Sequence, residues 1–224
     1  MNAREAILAK IKSQVKDGGD DTQRRAAVAN RLSSAPKGVI PERGQVTAKK
    51  RADLFCQKAE AVQSTVKRVT SYTEISAAIS DYLRQKNLPQ KIRLGEDERF
   101  DAIDWSATPN LTRDVGPTDG SDPVGVSHAH GGVAETGTLL MTSGAANPTT
   151  LNFLPENHII VVKAKDIEGN YEAALARIRD DHGKGRMPRT VNMITGPSRS
   201  GDIEQKILLG AHGPRSLHVI VVDG

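Results

Sequence analysis

Apolar and polar positions alternate along this chain with rhythms that change from segment to segment. In the last 34 residues, Val191 to Gly224, an apolar run ends at Thr195, Gly196-Pro197 turns the chain, and Ser198-Arg199-Ser200-Gly201 forms a polar loop. Asp202 opens a segment of helical period, and a second apolar run, Leu217 to Val222, follows it. That order predicts a βαβ unit whose loop lies where open α/β sheets bind ligands. Upstream, Lys91 to Leu94, Val124 to Ala129 and Thr138 to Thr142 read as strands, and Asn157 to Ala164 as a further strand apolar on consecutive residues. Runs of that kind need burial on both faces. With a helical pattern over Asp166 to Arg179 among them, they predict an α/β fold: an open, mostly parallel sheet with helices on both faces.

The first half of the chain reads as helical. Ala3 to Val15 carries a narrow apolar stripe that needs a partner to stay helical, Asp17-Gly18-Gly19-Asp20 stops it, and a basic helix spans about Thr22 to Leu32. Pro36 and Pro41 then prevent continuation, so residues 1–45 are expected to be a mobile or partner-dependent helical extension and 46–224 the α/β domain. Thr47 to Val69 has helical period through Leu54, Ala61, Val62 and Val66. Thr73 is the expected N-cap of a second helix that buries Ile75, Ala78, Ile79 and Leu83. Residues 95–122, with the single Trp105, read as a long loop containing short elements.

Composition narrows the classes. No apolar stretch approaches the roughly 20 residues that span a bilayer, and Met1 to Lys16 lacks the apolar core of a secretory signal. The expected setting is the cytoplasm. The only cysteine, Cys56, can form no internal disulfide and cannot alone hold an iron–sulfur cluster, which usually needs about four thiolates. The net charge of +4 is uneven, with 17 Lys/Arg against 9 Asp/Glu in residues 1–90. A basic arm for nucleic acid is one reading. Solvated helix faces are the favoured one, because only Phe55, Tyr72 and Tyr82 offer stacking surfaces there.

Two loops carry the candidate chemistry. Gly196, Ser198, Arg199 and Ser200 combine close backbone approach, hydroxyls and a guanidinium. If a helix starts at Asp202, its free amides would favour an anion nearby, with Asp202 beside the ligand; the alternative is that Ser200 or Asp202 merely caps the helix, Glu204 answers its dipole and Arg199 sits in a surface salt bridge. His212 and Arg215 follow that helix and could turn toward the same ligand. The second loop runs Gly131-Gly132-Val133-Ala134-Glu135-Thr136-Gly137-Thr138. Its glycines permit a tight bend that presents Glu135 as a base or nucleophile or, equally, as a brace accepting backbone N–H bonds, with Gly137 and Thr138 beside a ligand. His128 and His130 alternate in a strand and would share a face, but no third metal ligand is evident.

The stretch GPSRSGDIEQKILLGAHGPRSLHVIVVD, with AETGTLLMTSG at Ala134 to Gly144, closely resembles the signature of LUD-domain proteins of the lactate utilization protein C (LutC, YkgG) type. The resemblance covers about residues 70–224. It implies a Rossmann-like sheet similar to the NagB/RpiA/CoA-transferase superfamily, and a part in oxidising L-lactate to pyruvate alongside iron–sulfur subunits. This chain would be an accessory or substrate-binding subunit that binds no cofactor itself and holds a small anion on Ser198 and Arg199. The alternative is a stand-alone enzyme of CoA-transferase or sugar-phosphate type in which Glu135 is catalytic, since such transferases use a loop glutamate to form a thioester.

Overall fold

The computed structural model describes residues 2–14, 21–34, 36–183, 185–203 and 206–224, and it divides the chain into residues 1–39 and 40–224. The expected stop at Asp17-Gly18-Gly19-Asp20 lies outside the described residues. The first unit holds α1 (Ala3–Gln14) and α2 (Asp21–Ser34), neither of which buries a residue. Their ends are instead satisfied locally. Asn2 Oδ1 accepts from Glu5 N at 2.9 Å while Asn2 N donates to Glu5 Oε2 at 3.0 Å, a reciprocal cap, and Arg25 pairs with Asp21 one turn away at 2.7 Å.

The second unit is built on a six-stranded parallel sheet. Its strands are β1 (Thr65–Val69), β2 (Lys91–Leu94), β3 (Thr112–Val115), β4 (Val124–His128), β7 (Asn157–Lys163) and β12 (Ser216–Val222), in the spatial order β1-β12-β7-β4-β2-β3. β7 and β12 are central and apolar on consecutive residues because both faces are covered. Ile159, Val161, Ile220 and Val222 enter one core with Ile75, Ile79 and Leu83 of α4 (Ile75–Gln85), whereas Ile160, Val162, Val219 and Val221 enter another with Phe55 of α3 (Ala48–Ala61). The expected α/β architecture with helices on both faces is therefore observed. Each fully buried aliphatic side chain contributes about 1.5–3 kcal/mol.

The second face has a covering that the pattern did not predict. A four-stranded sheet lies against it, formed by β5 (Gly131–Val133), β6 (Thr138–Thr142), β8 (Ile167–Glu168) and β9 (Val191–Ile194) in the order β8-β5-β6-β9. Thr138 to Thr142 is thus a strand, but it pairs antiparallel with β5 and β9 rather than joining the parallel sheet. Outside this sheet packs α5 (Tyr171–His182), which starts later than expected because Ile167 and Glu168 are used in pairing with β5. Asn170 caps it by accepting from Ala173 N at 2.9 Å.

Other expectations are corrected. The helix from Thr47 ends at Ala61: Gln63 takes a positive φ of 71°, and the β-branched run that follows pairs with β12 as an edge strand. Thr73 does not cap α4, for its hydroxyl is 2.7 Å from Ser71 Oγ and it belongs to a 3-10 turn. The loop over 95–122 contributes strand β3 as well as two 3-10 turns, with Trp105 packed against the first core and Arg113 4.5 Å over its ring. The compact unit begins at Ile40, before the expected boundary, and Gly44 is pressed against Gly169 so closely that a Cβ at 44 would lie 2.2 Å from the Gly169 carbonyl oxygen.

The largest correction concerns the C-terminal segment. No βαβ unit exists there. Arg199 to Ile203 (β10) and Lys206 to Leu209 (β11) form an antiparallel hairpin, so Asp202 lies in a strand and opens no helix. A helix of this length would need a buried face to hold it, yet Ile207, Leu208 and Leu209 are all exposed. Glu204, expected to answer a helix dipole, and the side chain of Asp202 lie outside the described residues.

Candidate functional site

The segment after β9 folds back on the loop before β12. Gly196 has φ 75°, and a Cβ there would lie 2.4 Å from Val62 O, so glycine is required by both conformation and space. Ser198 N donates to Pro214 O at 2.9 Å, Gly210 N to Ser198 O at 2.9 Å, and His212 N to Ser198 Oγ at 3.2 Å. The Arg199 guanidinium is held by Nη2 donating to Val62 O, 2.9 Å away, just beyond the C-terminus of α3. These ties shape a cavity of about 280 Å³ whose floor is His158 and Leu217, near the amino ends of β7 and β12, and whose walls include Asn152, Thr195, Ser198 and Arg199.

His158 is fully buried, and burial pushes its pKa down to about 3, so the ring is neutral at ordinary pH. Its Nε2 lies 3.0 Å from Ser127 Oγ, while its Nδ1 has no hydrogen-bond partner. Asn152 is also buried. Its Nδ2 donates to Asn192 Oδ1 at 3.1 Å, but its own Oδ1 has no partner. Both atoms are shielded from the cavity by their neighbours, so the two residues line it without presenting those atoms to it. Among the described residues no carboxylate lines the cavity and Arg199 supplies a positive charge, an arrangement that suits an anion.

Of the residues singled out from the sequence, Gly196, Ser198, Arg199 and His212 line this cavity. Thr138 stands behind its wall, with its hydroxyl 2.7 Å from Thr195 Oγ1 and 2.8 Å from Tyr171 OH. Gly137 is a packing glycine against the Lys58 and Ala59 backbone, Ser200 is buried in the hairpin, and Arg215 faces Glu156 at 3.7 Å on an adjoining surface. The site lies at the amino ends of the parallel strands, not at the carboxyl ends as the βαβ reading implied. Asn152, His158 and Thr195 went unrecognised. The one available signal was a histidine interrupting the apolar run of β7.

Glu135 does not line the cavity. It is buried at the start of α5, where Oε1 accepts from Tyr171 N at 3.4 Å and Oε2 is 3.6 Å from Arg43 Nε. This is the bracing arrangement. Glu135→Gln is expected to leave binding in the cavity unchanged and to cost about 1 kcal/mol of stability, read by urea unfolding.

His128 and His130 do not converge, because the strand ends at His128 and the chain then turns into the second sheet. His128 Nε2 is 2.6 Å from Tyr72 OH, whereas His130 faces Asp181 at 3.1 Å and His182. Among the described residues no group of three or more His, Cys, Asp or Glu could hold a metal ion, and no helix is long and apolar enough to cross a membrane.

Comparison with known proteins gives a consistent assignment. The chain is 35% identical over 102 residues to "Lactate utilization protein C" of Geobacillus sp. (strain WCH70), covering 45% of this chain and 42% of that protein. It is 34% identical over 101 residues to the protein of the same name from Oceanobacillus iheyensis, covering 45% and 43%. The matches thus span less than half the length of these curated relatives. A DUF162 family protein from Deinococcus radiodurans superposes with a TM-score of 0.60 at 17% identity, covering 79% of this chain and 99% of that one, which establishes likeness of fold. The family model described as "LUD domain" matches residues 45–222, nearly all of the compact unit, and the chain belongs to the LUD-domain family.

Proposed function

We propose that this chain serves lactate utilization as the subunit that holds a small carboxylate, L-lactate or its oxidation product pyruvate, in the cavity between the two sheets. The observation that carries this reading is the cavity itself, which has a guanidinium and no facing carboxylate among the described residues. The names of the relatives at 34–35% identity supply the direction. A carboxylate there would accept charge-assisted hydrogen bonds from Arg199 and would neutralise its charge.

Oxidation of L-lactate to pyruvate releases two electrons and two protons, and the electrons need an acceptor. Cys56 does not suit a cluster: it is a single thiol, and burial pushes its pKa up to about 11, which disfavours the thiolate that a metal requires. Iron–sulfur partner subunits are the proposed acceptors, and this chain binds and orients the acid.

Calorimetric titration with L-lactate and pyruvate tests the reading. Arg199→Ala is expected to weaken binding by roughly 10- to 100-fold, the loss of a charge-assisted hydrogen bond. Arg199→Lys should retain part of the affinity, which separates loss of charge from loosening of the loop. Wild-type affinity in Arg199→Ala would remove this residue from the site.

A further inference from the structure

The cavity is larger than a three-carbon acid. An enclosed apolar cavity of about 150 Å³ holds benzene, and L-lactate has the same number of non-hydrogen atoms, six. At about 280 Å³ this cavity has room for nearly twice as many, so lactate on Arg199 leaves roughly half of it to water. Much of the remaining wall is apolar. Phe153, Met193, Pro214 and Leu217 line it, and Phe153 and Met193 keep 44% and 47% of their surface exposed. Gly213 joins the two kinds of wall: a Cβ there would lie 3.5 Å from Ser198 Cβ and 3.8 Å from Phe153 Cδ1, so the polar and apolar sides flank one residue whose lack of a side chain keeps the space between them open.

We infer that the cavity takes a carboxylate bearing an apolar tail of about six non-hydrogen atoms, with the charged end on Arg199 and the tail against Phe153 and Met193, so that lactate is the smallest member of its ligand class. The inference rests on the carboxylate-binding reading above and deepens it by naming what the rest of the ligand is. Half-exposed apolar side chains at a cavity mouth are hydrated until something covers them, and an apolar tail that covers them removes its own surface and theirs from water together. The gain grows with tail length until the cavity is full. A phenyl group doubles the atom count of lactate and matches the space available, and its ring is of a kind to pack against the Phe153 ring.

Calorimetric titration of the full chain with L-lactate, L-2-hydroxybutyrate and L-3-phenyllactate tests this, because the three acids present the same charged end and differ only in the tail. Affinity is expected to rise about two- to fourfold with the added methylene of 2-hydroxybutyrate and about tenfold or more with the phenyl group. Arg199→Ala should weaken all three by the same factor. Phe153→Ala and Met193→Ala, both at half-exposed positions, should each cut the affinity for phenyllactate severalfold and leave lactate unchanged. The wild-type series decides the matter even if a variant fails to fold. Equal or falling affinity from lactate to phenyllactate would overturn the tail site while leaving the carboxylate site standing, as would a rise that survives both wall variants. No binding of any of the three acids would overturn both readings.

Discussion

Lowering the pH from 7.5 to 5 is expected to remove about 6 kcal/mol of folding stability through three buried histidines. Burial pushes the pKa of His158 down to about 3 and those of His128 and His218 to about 4, with Arg99 adding to the effect at His128 and Lys86 at His218. In the unfolded chain each would titrate near its usual value of about 6.5. The folded state therefore refuses protons that the unfolded state accepts. Stability is fully present above about pH 6.5 and falls as pH drops toward the folded values, by about 1.4 kcal/mol per histidine per pH unit. Carboxylates held low by neighbours, such as Asp114 beside Lys91, titrate below this window. Urea unfolding at the two pH values measures the loss. His218→Gln, which removes a ring stacked 4.2 Å from Tyr82 and 2.8 Å from Thr65 Oγ1, should reduce the pH dependence by about a third even if it lowers stability at pH 7.5. A pH-independent unfolding midpoint would show that these rings titrate normally.

Gly137→Val is expected to cost about 3–6 kcal/mol, enough to unfold much of a domain of ordinary stability. Two effects combine. Gly137 has φ 69°, a region where a β-branched residue is strained, and its Cβ would lie 2.4 Å from Ala59 N and 2.6 Å from Lys58 C, both backbone atoms of α3 that cannot swing aside. The contact holds the turn between β5 and β6 against α3, which in turn abuts Gly196 and Arg199 through Val62. Circular dichroism on thermal unfolding should therefore show a large drop in midpoint, and a variant as stable as wild type would mean that the turn is not pressed against α3 as described. Gly201, with open space around its Cβ position, provides a control: Gly201→Ala should change stability little.

The legible part of the fold follows from burial. β7 and β12 stand out because a strand covered on both faces has no solvent side to fill with polar residues, and α4 stands out because Ile75, Ile79 and Leu83 recur on one face. β5 and β8 have three and two residues, too few to establish any period. β1 hides behind Lys67 and Arg68, since an edge strand can leave such residues exposed. The segment of β10 and β11 reads as helical because Ile203, Ile207 and Leu208 fall at helical spacing by chance. Whether such a segment becomes a helix is decided by what it packs against, and nothing in a single sequence reports that.

The candidate site divides in the same way. Gly196, Ser198, Arg199 and His212 were recognisable because a turn, hydroxyl, guanidinium and imidazole cluster within one stretch of chain. The anion-binding helix terminus invoked for them does not exist, and the positive charge rests on Arg199 instead. Asn152 and His158 come from elements separated from that stretch by at least 30 residues, and only the packing of those elements brings them to the cavity. That is a property of assembled structure. Glu135, conspicuous between glycines, proved to be tied to the start of α5.

A crystal structure of the full chain grown with L-lactate would test the cavity most directly. The expected result is the acid between the two sheets, its carboxylate on Arg199. Lactate bound instead in the basic recess beside Lys49, Arg51 and Lys165, with the cavity holding only water, would contradict it.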